Sequence, residues 1–203
     1  MVAQRCVRAV RALHARRVGR GAAVLDVGCG AGTLLRRLAR SGGTVVGLEP
    51  EARAAAKARM NVNGLRNVTV REKPFDVTIR DEPRYDLMTF VASLYHLPLV
   101  PALEAARSML WPGGRLVIVG LARETSRDLP WSIASLLLNV GVGVILHPRR
   151  AVEPPESMTA PTTMPLLTFE EIHAVACQVL PGIKMRRPLF WRYRAVWAAP
   201  PVR

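Results

Sequence analysis

The chain is poor in cysteine, lysine and aromatic side chains, and each scarcity removes a class of protein. Cys6, Cys29 and Cys177 are three cysteines at no paired spacing, so neither a disulfide framework nor a zinc-binding set is indicated. That usage fits a reducing, cytoplasmic setting. Aromatics make up 5% of the residues, and the sequence has no basic cluster interleaved with them of the kind that marks a nucleic-acid surface. No apolar leader core opens the chain, which argues against secretion. Acids are scarce too: 15 Asp and Glu against 29 Lys and Arg, a formal charge of +14. Such an excess attracts polyanions at long range. The lysines are Lys57, Lys73 and Lys184, however, and the arginines are scattered over the whole length. A solvated, arginine-rich surface explains the charge at least as well as a nucleic-acid partner does.

What is present is a long α/β rhythm. With half of its 203 residues hydrophobic, the chain can bury one sizeable core, and a single domain over residues 1–203 is expected. Cys6, Val10, Leu13 and Arg17 share one face at helical spacing, giving an N-terminal helix within residues 1–22. Strands are expected at Val24–Val27, Thr44–Leu48, Asn67–Arg71, Tyr85–Val91 and Arg115–Gly120. Helices alternate with them at Thr33–Arg40, from Pro50 through Met60, and at Leu99–Leu110. The polar, short stretch Glu72–Arg84 leaves the crossover helix expected there reduced or absent. The uncharged run Leu129–Leu146 is borderline in length for a membrane span. It is interrupted by Pro130, Ser132, Ser135, Asn139, Gly141 and Gly143, and reads as a lid or insert within 121–167, with peripheral membrane contact as the alternative. Thr168 and Glu171 form a capping box at the start of a last helix, and Ile183–Arg187 and Trp191–Ala198 read as two strands joined by a short turn. Strands alternating with helices imply right-handed crossovers and a mostly parallel sheet that binds ligands at its carboxyl ends.

The chemistry concentrates in Asp26-Val27-Gly28-Cys29-Gly30-Ala31-Gly32. A nicotinamide-binding loop places its third glycine three residues after the second. Thr33 holds that position here, and Gly32 comes one residue early. Glycines allow positive φ and close backbone approach to a ligand, while an acidic residue suits an ammonium better than a phosphate. The pattern Asp-x-Gly-x-Gly-x-Gly resembles the first motif of class I S-adenosylmethionine-dependent methyltransferases. Gly47-Leu48-Glu49-Pro50 and Leu110-Trp111-Pro112-Gly113-Gly114-Arg115-Leu116 also resemble that family, over the region Val24–Val119.

The resemblance implies a Rossmann-like, seven-stranded, mostly parallel sheet with helices on both faces and an antiparallel last strand. Residues 24–120 would be the cofactor-binding core, and residues 168–203 a closing helix and β-hairpin. It implies S-adenosyl-L-methionine as cofactor, held by Asp26, Gly28, Cys29, Gly30, Gly32, Glu49, Pro50, Glu72 and Ser93. Glu49 would take the ribose hydroxyls and Glu72 is a candidate for the adenine. Tyr95 would contact substrate, and His96 is the candidate general base because its pKa suits proton transfer. The base-amine motifs, the Pro-Cys nucleophile and the paired acids of arginine methyltransferases are absent from the expected positions, and no metal set of the catechol type is found. The expected activity is metal-independent methyl transfer to a small, lipophilic acceptor at O, N or C. An RNA-directed methyltransferase and a catalytically inactive cofactor-binding partner protein are the competing readings.

Overall fold

The computed structural model describes residues 21–40, 43–78, 84–123, 165–187 and 192–201. The N-terminal helix predicted before residue 21 and the apolar run Leu129–Leu146 lie outside them. Seven strands form one sheet in the order β3-β2-β1-β4-β5-β7-β6. They are β1 (Ala23–Val27), β2 (Thr44–Leu48), β3 (Val68–Arg71), β4 (Tyr85–Val91), β5 (Leu110–Leu121), β6 (Lys184–Arg186) and β7 (Arg192–Ala198). The first five are parallel and β7 runs antiparallel to both β5 and β6. Strand order reverses between β1 and β4, and that switch point opens a crevice at the carboxyl ends of the strands.

The central strands are apolar on both faces because both are covered. Val24, Leu87 and Val117 face one cluster with Leu35, Leu38 and Ala58, contributed by α1 (Thr33–Ala39) and α2 (Ala52–Asn61). Leu25, Met88, Phe90 and Leu116 face the other, with Leu103, Ala106, Ile172 and Ala176 from α3 (Leu99–Ser108) and α4 (Phe169–Val179). Among the described residues between β3 and β4 there is no helix, and Phe75 is buried there and meets Phe90 edge to face at 5.6 Å. Its ring supplies apolar cover that a shortened connection would otherwise leave missing.

Helix starts follow the local chemistry. The Thr168 hydroxyl accepts from the Glu171 N–H, and the Glu171 carboxylate accepts from the Thr168 N–H at 2.7 Å, so the expected capping box is formed. At α2 the cap is Glu51, whose carboxylate accepts from the N–H groups of Arg53 and Ala54. Pro50 therefore precedes the helix rather than opening it. The fifth strand also begins earlier than its sequence suggests. Trp111-Pro112-Gly113-Gly114 lies inside β5 as an irregularity, where pairing with β4 jumps from Tyr85–Leu110 to Leu87–Arg115.

Candidate active site

Each residue singled out in the glycine loop has a distinct place. Gly28 has φ +73°, and a Cβ there would stand 2.5 Å from the Cβ of Ser93. Glycine is required twice over, for the left-handed backbone and for the close approach. Ser93 is locked against the loop by its hydroxyl, which donates to the Val27 carbonyl. Gly30 also has positive φ, +51°, but a Cβ on it would meet nothing within 4 Å. The space over Gly30 is open. Gly32 caps α1 and backs onto Ala58 of α2.

Glu49, at the end of β2, is buried and turned toward that opening. One carboxylate oxygen accepts from the Gly30 N–H at 2.8 Å and the other from the Glu51 N–H at 3.1 Å. Each oxygen retains a lone pair for a hydroxyl donor. An open glycine cradle bordered by an anchored carboxylate fits the ribose and methionine portions of S-adenosylmethionine.

Asp26 lies deeper. It is buried on β1 and accepts from the Thr89 hydroxyl on β4. Burial pushes its carboxyl up to about 6, with the Thr89 hydrogen bond opposing the shift and the nearby Glu49 charge adding to it. Cys29 is buried beside both acids. Desolvation first, and then the charges of Asp26 and Glu49, push its thiol up to about 12. A thiol so protonated is no nucleophile at neutral pH, so Cys29 serves the loop through its backbone: its N–H and that of Gly28 both donate to the Leu48 carbonyl.

Beyond β4 the chain turns sharply. Ala92 has φ +56° without being glycine, a backbone that costs roughly 1 kcal/mol. It leads into a single 3-10 turn, Leu94–His96, which the sequence did not announce. That turn buries Leu94 and presents Tyr95 half-buried and His96 exposed. Their rings lie 4.0 Å apart, tilted by 38°. Ser93 thus joins the glycine loop to the Tyr95–His96 pair. Glu72 is engaged elsewhere: it follows β3, is partly exposed and pairs with Arg59 of α2 at 3.0 Å. Pro50 is exposed beside Glu49. The feature sequence reasoning missed is Thr89, the partner of Asp26. It lies 63 residues away in the chain, and only the register Asp26–Thr89 between β1 and β4 brings the two side by side.

Comparison with known proteins agrees with this geometry. A model of the methyltransferase domain matches residues 2–152. The chain is 34% identical over 111 residues to a ubiquinone biosynthesis O-methyltransferase of Alkalilimnicola ehrlichii, covering 51% of this chain and 43% of that protein. It therefore spans less than half the length of that relative. An uncharacterized methyltransferase of Mycobacterium bovis is 28% identical over 180 residues, 87% of each chain. Among solved structures, a SAM dependent methyltransferase from Aquifex aeolicus superposes with a TM-score of 0.56 at 20% identity, over 94% of this chain and 88% of that one, a likeness of fold. The match across three quarters of the chain, together with the glycine cradle and Glu49, places this protein in the methyltransferase-domain family, among the class I S-adenosylmethionine-dependent methyltransferases.

Proposed function

We propose that this chain transfers a methyl group from S-adenosylmethionine to a small, lipophilic acceptor without the help of a metal ion. The observation that carries the proposal is the open space over Gly30, bordered by the Glu49 carboxylate and joined through Ser93 to the Tyr95–His96 pair. When bound there, S-adenosylmethionine supplies a methyl group on a positively charged sulfonium. The backbone of Gly28, Cys29, Gly30 and Gly32 receives the methionine end, Glu49 takes the ribose hydroxyls, and Pro50 flanks the adenine side, Glu72 being held by Arg59 instead. Asp26, below the loop, contributes negative charge through a poorly polarisable interior, which favours a cationic ligand.

Tyr95 offers a ring edge and hydroxyl to the acceptor, and its ring orients His96. A His96 ring nitrogen takes the proton from the acceptor as the new bond forms. The leaving thioether is neutral and needs no acid, so most of the rate comes from holding the two reactants in line. The relative named as an O-methyltransferase of ubiquinone biosynthesis supports an oxygen acceptor.

Calorimetry with S-adenosylmethionine and with its demethylated product tests the cofactor half, and binding of both is expected. A radiolabelled methyl assay over lipophilic phenols and hydroquinones, with amines for comparison, tests the acceptor half. His96→Gln is expected to lower kcat about a hundredfold below the acceptor's own pKa and to lose less above it. Failure to bind either cofactor form overturns the proposal. Binding without transfer to any acceptor supports an inactive cofactor-binding protein instead.

A further inference from the structure

The arginines are scattered in the sequence, but the closing hairpin gathers some of them. Along β7, Tyr193, Ala195 and Trp197 are buried while Arg194, Val196 and Ala198 face the other way. Register with β6 sets Arg186 directly opposite Arg194, and Lys184 directly opposite Val196. Directly paired residues share a face of the sheet. Lys184, Arg186 and Arg194 therefore form one basic group at the sheet edge, with Arg115 farther along the same face, opposite Ala198. None of the strands β5, β7 and β6 carries a carboxylate on this face, the buried Asp26 lying three strands away from β7 on β1, and among the described residues none of the three cations makes an ion pair. Arg187, just past the end of β6, lies over the Phe169 ring at 5.8 Å.

Two facts narrow the occupant. Like charges placed directly across a strand pair destabilise a sheet, so the Arg186–Arg194 pair is unfavourable until an anion lies over it. Val196, 42% exposed, stands between the cations, and the aromatic residues of β7 for which burial is described, Tyr193 and Trp197, turn into the core. Binding of single-stranded RNA draws on aromatic stacking, which this face does not offer, whereas cations around an exposed aliphatic side chain match anionic headgroups above acyl chains. We propose that the face carrying Lys184, Arg186, Arg194 and Val196 docks the protein on an anionic lipid bilayer. This inference is independent of the methyl-transfer reading and extends it, since a lipophilic acceptor is delivered from such a surface.

The test is flotation of the full chain with phosphatidylcholine vesicles, plain or with about 30% phosphatidylglycerol. Binding is expected only to the anionic vesicles and is expected to be reversed by salt. The variant K184Q/R186Q/R194Q is expected to lose about a hundredfold in partitioning, near fivefold per cation. R36Q/R37Q/R40Q, which removes three exposed arginines from the α1 region, matches the loss of net charge and is expected to change partitioning less than about fivefold. Equal losses in the two variants, unchanged binding in the first, or equal binding to plain vesicles each overturn the proposal. So does a chain that ignores vesicles while the first variant alone loses affinity for an RNA homopolymer. Arg186→Gln by itself is expected to hold or raise Tm, because it relieves the opposed charges. A lowered Tm reveals an internal partner for Arg186 and removes the basis of the argument.

Discussion

The two halves of the sheet are built on opposite electrostatic plans. At the carboxyl ends of β1 and β2, two carboxylates, Asp26 and Glu49, are buried against the glycine loop. At the β7–β6 edge, Lys184 and Arg186 are exposed and Arg194 is half-buried, with no acid on these two strands among the described residues. The acidic half holds its charge by hydrogen bonds from Thr89, Gly30 and Glu51. The basic half leaves its charge unmatched. A protein that stabilises one charge at close range and leaves another bare presents the bare one to something outside itself, whereas the anchored one is set for a ligand of fixed geometry. Strain follows the same division: the positive φ of Ala92 lies beside the anchored half, where a costly backbone is held by the packing of Ser93 on Gly28.

Four substitutions sharpen or break this contrast. Gly28→Ala is expected to be the most damaging, costing about 4 kcal/mol because left-handed backbone and collision with Ser93 add. Denaturant unfolding checks the loss, and cofactor binding should vanish with it. Gly120→Ala forces a methyl into the Tyr193 ring across the β5–β7 pair and should cost about 3 kcal/mol. In the surviving folded fraction the cofactor Kd should stay as in the parent. If Gly120→Ala weakened the cofactor as strongly as Gly28→Ala, the two halves would not be separable.

Glu49→Ala removes the carboxylate proposed to accept the ribose hydroxyls, together with the anchor of the Gly30 N–H. Calorimetry should show affinity falling about thirtyfold, near 2 kcal/mol, as charged hydrogen bonds are lost. Asp26→Asn is the mildest. With its carboxyl held at about 6 against an unfolded value near ~4, the folded chain retains a proton that the unfolded chain has released. Its contribution to stability therefore falls as pH rises from about 4 to about 6 and is level above that window. Asn keeps the Thr89 contact and abolishes this slope, raising stability at pH 7 by about 1 kcal/mol. Thermal melts of both proteins across that range read it directly. A persisting slope in Asp26→Asn would assign it to another group.

The parts of the fold that were legible in the sequence are those set by neighbours in the chain. β2 and β4 fall at Thr44–Leu48 and Tyr85–Val91, as their apolar runs suggest, and the Thr168–Glu171 capping box needs only residues three apart. The start of β5 was misplaced because Pro112-Gly113-Gly114 reads as a break, whereas β4 pairs with the strand on both sides of the irregularity. The 3-10 turn Leu94–His96 has too short a period to show in an apolar pattern. Of the candidate site, Gly28, Gly30, Gly32 and Glu49 could be recognised from spacing, yet the Glu72–Arg59 pair and the Asp26–Thr89 pair could not, because one joins a helix to the segment after β3 and the other joins two strands, and only the folded chain brings them together.

By itself, then, the sequence determined where the glycine loop could form, since Gly28, Gly30 and Gly32 can take up positive φ without the steric cost other residues bear. It also determined the alternation that makes a parallel sheet, because apolar period and breakers act locally. Tertiary structure alone decided which charges are neighbours. Cross-strand register places Thr89 against Asp26 and Arg194 against Arg186. Burial then raises the cost of one charge, and open solvent leaves the other free to attract a partner.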